Sequence, residues 1–224
     1  MILLSLLPFD NSVFASPIKQ LVPPDKAQWS VWREANNMKI STRPVSRNGL
    51  IEIKAELSIR TSKMTFIEFI TKPHNLALWL DNLKSSEIKS INIDESELTI
   101  RFNAIWPLAE RIMRIKSTIK SRDDASILIQ LTDTGDKLDH EKGSIVVTVH
   151  AAHWLISPLD NETLLVSYQF IADANGSIPK WLANKLMLNS IWKSLLNIKQ
   201  HITISSRTKR ASIKSDAVTK ADAK

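Results

Sequence analysis

The 224-residue chain has no cysteine, which removes disulfides, thiolate nucleophiles and most structural zinc sites, and leaves the redox compartment open. Glycine occurs only four times, and no low-complexity run is present. Collagen-like, repeat and largely disordered architectures are thereby excluded. No stretch reaches the ~18 consecutive apolar residues that a spanning helix needs. Also missing are H-E-x-x-H, a nucleophile elbow, a phosphate-cradling glycine loop and a dinucleotide fingerprint.

The chain is long enough for one sizeable hydrophobic core and short for two. Its longest helical pattern runs from Ser177 to Ile202, with Ser177 expected as N-cap and Pro179 in the first turn. Trp181, Leu182, Leu188, Ile191, Trp192, Leu195, Ile198 and Ile202 form one broad apolar stripe. A helix of this length needs a wide surface to cover that stripe.

The residues before it alternate. Leu50–Arg60 places Ile51, Ile53, Ala55, Leu57 and Ile59 between polar neighbours, the pattern of a half-buried strand, after a tight turn at Asn48-Gly49. A strand is predicted at Met38–Pro44, and a short helix over Asp25–Ala35 carrying Trp29 and Trp32. Ser62 and Pro73 each open a short helix, and about six further strands follow between Lys84 and Asp173. The fold class is α+β, with antiparallel meanders and a long terminal helix.

The ends differ from the body. Met1–Leu7 is apolar and Val13 and Ala15 are small, so residues 1–15 are expected to be a signal peptide cleaved after Ala15. The protein would then be exported, to the periplasm or beyond. Six of the basic residues behind the net charge of +7 lie in 205–224, against two acidic ones. That segment is expected to be a flexible basic tail, leaving 16–204 as the folded domain.

The titratable residues give no catalytic pattern. His150 and His153 fall on opposite faces of a regular strand, which disfavours a metal pair. Asp94-Glu95 and Asp123-Asp124 fall where turns are needed. Arg114, Lys116 and Lys120 make one strand face basic and solvated, while Arg111, just before them, is expected to turn inward toward a ligand's polar head, since a buried charge needs a partner.

Several segments in this order resemble the START family of lipid-transfer modules: KISTRPV at Lys39–Val45, IWPLAER at Ile105–Arg111, HWLISP at His153–Pro158 and DANGSIPKWLANKL at Asp173–Leu186. The resemblance covers roughly Trp29 to Ile202. It departs from the family pattern after Trp106-Pro107, where Arg111 is kept and its acidic companions are altered. It implies a helix-grip fold, a curved antiparallel sheet wrapped around the long C-terminal helix with an internal hydrophobic cavity. A lipid or other hydrophobic ligand would be held there by Trp79, Trp106, Arg111, Val147, Val149, Phe170, Trp181, Leu182 and Leu186. No catalytic residue, metal or cofactor is implied. The expected protein is a monomer touching membranes transiently and not binding nucleic acid. A cyclase-like enzyme of the same superfamily would instead need an inward polar group from Glu110, His150 or His153, and a membrane-surface binder would use the basic tail.

Overall fold

A computed structural model describes residues 27–45, 49–105, 108–135 and 143–221, with side chains described as far as Thr203. Ten strands form one sheet: β1 (Ser30–Ala35), β2 (Met38–Pro44), β3 (Ile51–Arg60), β4 (Leu83–Ser90), β5 (Glu95–Phe102), β6 (Glu110–Ser121), β7 (Ile127–Asp133), β8 (Ser144–Val146), β9 (Thr148–Pro158) and β10 (Thr163–Asp173). Their order is β1-β2-β3-β10-β9-β7-β6-β5-β4, antiparallel throughout, with the short β8 pairing in parallel with β6. Two short helices, α1 (Lys63–Thr71) and α2 (Pro73–Trp79), connect β3 to β4, and α3 (Lys180–Ala221) follows β10.

The expected helix over Asp25–Ala35 is corrected: the described part is unassigned until β1 begins at Ser30. Asn36 and Asn37 both adopt positive φ (53° and 63°), the geometry of a tight hairpin turn that asparagine tolerates well. That turn folds β1 onto β2. Trp32 then meets Trp192 of α3 edge-to-face at 6.4 Å, and the Arg33 guanidinium lies 4.4 Å over the same ring.

β3 keeps its period of two, with Ile53, Ala55, Leu57 and Ile59 buried. Glu52, on the opposite face, is buried as well and accepts from Arg43 Nε at 2.5 Å across β2 and β3. Ser62 caps α1 as expected, its hydroxyl accepting the Thr65 N–H at 3.1 Å, and Pro73 is the first residue of α2.

The terminal helix starts two residues later than its Ser177 cap signal suggests. The Pro179 carbonyl accepts the first backbone bonds, from Leu182 and Ala183, because the residue before a proline is held out of the helical region. The helix continues to Ala221, through a segment with neither glycine nor proline to stop it, where composition leads to a flexible tail. Leu195, Ile198 and Ile202 are fully buried against the layer of β1–β3, each worth about 1.5–3 kcal/mol of burial. Leader residues 1–15 lie outside the described residues, as does Asn48 of the predicted turn.

The buried apolar residues form two clusters. The larger joins β2, β3, β9, β10, α1, α2 and the later turns of α3. The smaller joins Ile100, Ile115, Val149, Ala152, Phe170 and Ala172 under the earlier turns of α3.

Candidate ligand cavity

Between sheet and helices lies a cavity of about 290 Å³. Its walls come from α1, α2, β4–β7, β9, β10 and α3. Along β6 the inward residues are Arg111, Met113, Ile115, Ser117 and Ile119, the alternate set to Arg114, Lys116 and Lys120, so the basic face points away from the cavity as its spacing predicts. From α3 come Ala183, Leu186, Met187, Ser190, Ile191, Ser194 and Leu195, the spacing of one helical face. Most of the wall is apolar. Arg111 is its single charged residue among those described.

Of the candidate ligand residues, Trp79, Arg111, Val147, Phe170 and Leu186 line this cavity. Three others do not. Trp181 is 67% exposed, although it shares the helical phase of the buried Leu188 and Leu195 seven and fourteen residues on, because it stands at the very start of the helix. Leu182, beside it, is half-buried and off the wall. Val149 sits in the smaller apolar cluster, its N–H donating to Asp133 Oδ2 at 2.6 Å. Trp106 lies outside the described residues.

Val149 still faces inward, as the cross-strand partner of the wall residue Ala172. The β9–β10 register shifts between Ile171 and Ala172, and this bulge leaves Val149 and Ala152, three apart, both buried. Strict alternation, which separates His150 from His153, therefore does not hold across it. No group of three or more metal-ligating side chains occurs among the described residues. His150, His153 and Glu110 are all absent from the cavity wall, Glu110 being paired instead with Lys84.

Arg111 reaches the cavity as expected but is already engaged. It is 7% exposed, and burial pulls its pKa downward from the ordinary arginine value. Nε donates to the Ala174 carbonyl at 2.8 Å, Nη1 to Ala109 at 2.7 Å and Nη2 to Asn175 at 3.3 Å. Three of its five N–H groups are thus spent on backbone, and two remain without a partner among the described residues. The loop it holds is the step from β10 into α3, where Asn175 and Gly176 both have positive φ (51° and 80°). A Cβ on Gly176 would stand 2.8 Å from Ile145 Cδ1 and 3.4 Å from Arg111 Nη2, so glycine is needed both for its φ and for the close approach. Asn175 donates to the Val146 carbonyl at 2.8 Å and to Thr148 Oγ1 at 2.9 Å, and Asp173 accepts from Lys180 Nζ at 2.5 Å. The first turn of α3 is fixed in place from both sides.

Aromatic residues crowd the other end. Trp154 and Tyr168 are direct cross-strand partners stacked at 4.4 Å, and Phe170 follows Tyr168 at 5.6 Å. Trp79 meets Trp154 edge-on at 6.1 Å. Neither Trp154 nor Tyr168 is among the residues expected to hold a ligand; what joins them is a cross-strand register that periodicity does not contain. Burial raises the Tyr168 phenol far above its ordinary value, so the hydroxyl stays protonated.

One titration follows from the outer face of the sheet. Burial lowers the pKa of His153 below its ordinary value, and the Glu52 carboxylate only partly offsets this. The unfolded chain therefore binds the proton more readily, and the stability is present above pH ~6.5 and lost as pH falls from there toward the depressed folded-state value. Urea midpoints should drop between pH 7 and pH 5.5, and His153→Gln should flatten that slope. An unchanged slope in the variant would assign it to other groups.

No family model matches the sequence. An uncharacterized protein of Pseudomonas aeruginosa is 28% identical over 94 residues, 42% of this chain and 46% of that protein, so the match spans about half of the curated relative. Solved structures cover more. The STAR-related lipid transfer protein from Xanthomonas axonopodis superposes with a TM-score of 0.70 at 24% identity, covering 78% of this chain and 98% of that one. Human StAR-related lipid transfer protein 5 gives 0.70 at 19% identity over 81% and 89% of the two chains, and the human StarD13 lipid transfer and protein localization domain 0.65 at 14% over 77% and 88%. Sheet order, terminal helix and superposition agree: the chain has the helix-grip fold of the START-related lipid transfer domains.

Proposed function

We propose that this chain binds a lipid or other hydrophobic small molecule in the cavity and transfers it, without covalent chemistry. The observation that carries the reading is the wall itself: about 290 Å³ lined mostly by aliphatic and aromatic side chains, with a few hydroxyl and amide groups and, among the described residues, one charge, Arg111. Such a wall gives affinity through apolar area, at about 25 cal/mol per Å² removed from water, and offers no acid–base pair for a reaction. Arg111 keeps two N–H donors for the polar head of the ligand. The name of the Xanthomonas protein, a lipid transfer protein of the same fold, supports the same class of ligand. The apolar run Met1–Leu7, read as a leader, supports a proposed site of action outside the cytoplasm.

Native mass spectrometry of the protein purified from its host, followed by organic extraction, tests this. A reproducible lipid mass supports it; a chain that arrives empty and takes up nothing from lipid vesicles overturns it.

Transient membrane contact belongs to the same reading. Trp181, at the first turn of α3, and Ile105, on the cavity wall yet 38% exposed, offer apolar surface where the cavity approaches solvent. Trp181→Ala is expected to slow lipid exchange between vesicles roughly fivefold, the counterpart of about 1 kcal/mol, while equilibrium binding of the same lipid is unchanged. An equal loss in equilibrium binding would place Trp181 in ligand binding instead.

A further inference from the structure

The indole of Trp79 is 8% exposed and lines the cavity, yet its Nε1–H has no hydrogen-bond partner among the described residues. A buried donor without an acceptor is costly, and the neighbouring Trp154 ring offers it at most a weak π-contact. Tyr168, stacked on the same Trp154 ring, also lines the cavity. Both groups are neutral donors. Arg111 is far from them: its partner Ala174 is six residues along the β10 chain direction from Tyr168, about 20 Å of extended chain.

We propose that this inner end of the cavity recognises a neutral oxygen, a hydroxyl or carbonyl on an otherwise apolar molecule, through Trp79 Nε1–H and the Tyr168 hydroxyl. The inference rests on the cavity-binding function proposed above and narrows its ligand class. An alkyl chain end would leave the indole donor unsatisfied, whereas an oxygen there accepts it and lets Tyr168 donate or accept in turn. A carboxylate or phosphate is disfavoured at this end because no positive charge lines it among the described residues, and its desolvation would go uncompensated. The ligand class is therefore an apolar body with an uncharged oxygen function at the end remote from Arg111.

The test presents the full chain with phosphatidylcholine vesicles holding equimolar hexadecane and 1-hexadecanol, and reads the ratio of the two bound to the recovered protein. The wild type is expected to be enriched in the alcohol about tenfold, as one to two neutral hydrogen bonds supply. Tyr168→Phe removes only the hydroxyl and should cut the enrichment roughly threefold; adding Trp79→Phe should abolish it. If Trp79→Phe does not fold, Tyr168→Phe alone decides. Uptake of both molecules without enrichment, or enrichment that survives Tyr168→Phe intact, overturns this inference and leaves cavity binding standing. Uptake of neither overturns both.

Discussion

Ser117→Trp is expected to lower affinity for a long-chain lipid at least a hundredfold, about 2.7 kcal/mol, while leaving thermal stability unchanged or slightly raised. Ser117 stands on the inward face of β6 between Ile115 and Ile119, with Ser96 directly opposite on β5, and both serines line the cavity. An apolar void of about 150 Å³ holds one benzene-sized molecule, so roughly two such rings fit in the 290 Å³ here, and an indole occupies one of them or more. A lipid chain would lose several buried methylenes at about 0.8 kcal/mol each. The strand tolerates an aromatic residue, and filling a void in a rigid wall does not strain the fold. A benzene-sized probe should still bind. Vesicle-to-protein transfer of a fluorescent lipid and a melting curve give both readouts; unchanged lipid affinity with normal folding would move the ligand site out of this cavity.

That the wall can be written residue by residue owes much to simple periodicity. Met113, Ile115 and Ile119 against Arg114, Lys116 and Lys120 divide β6 into an inner and an outer face by their alternation alone, and the folded sheet keeps the division. Leu186 and Trp79, both among the residues expected to hold a ligand, line the same cavity. Where a local irregularity intervenes, the reading fails. A helical stripe shows its axis of amphipathicity but not which end runs past the sheet, so Trp181 falls on the buried side in sequence and in solvent in space. The bulge between β9 and β10 shifts phase by one residue, which puts Val149 and Ala152, three apart, on the same buried side.

The same distinction applies to the fold. Strands β3 to β7, the Ser62 cap of α1 and the Pro73 start of α2 follow from patterns contained within each segment. β1 does not, because tryptophans three apart at Trp29 and Trp32 imitate one face of a helix. The deciding feature, two consecutive asparagines at positive φ, is a backbone property that competes with that spacing and wins. Arg111 illustrates a further gap. Its inward turn can be inferred from the cost of a buried charge, but its three carbonyl partners come from residues 109, 174 and 175, and two of these lie more than sixty positions away in sequence.

Trp154→Ala should destabilise the protein by about 3–5 kcal/mol, the usual cost of removing a buried tryptophan. Trp154 sits in the larger core cluster and also on the cavity wall. Its ring contacts Phe66 at 6.5 Å, Trp79 at 6.1 Å and Tyr168 at 4.4 Å, and aromatic pairs contribute about 0.5–1.5 kcal/mol each beyond area burial. Phe66 and Trp79 belong to α1 and α2, so the two helices would lose a common anchor on the sheet. Collapse around the vacancy is restricted on one side, because the adjoining space is already a cavity. The loss should therefore lie at the upper end of the range in the unliganded protein and shrink when an apolar probe occupies the widened cavity. Urea unfolding with and without saturating 1-hexadecanol measures both quantities. A loss below 1 kcal/mol would show that α1 and α2 hold to the sheet without this residue, and a loss that the probe does not reduce would separate the vacancy from the cavity.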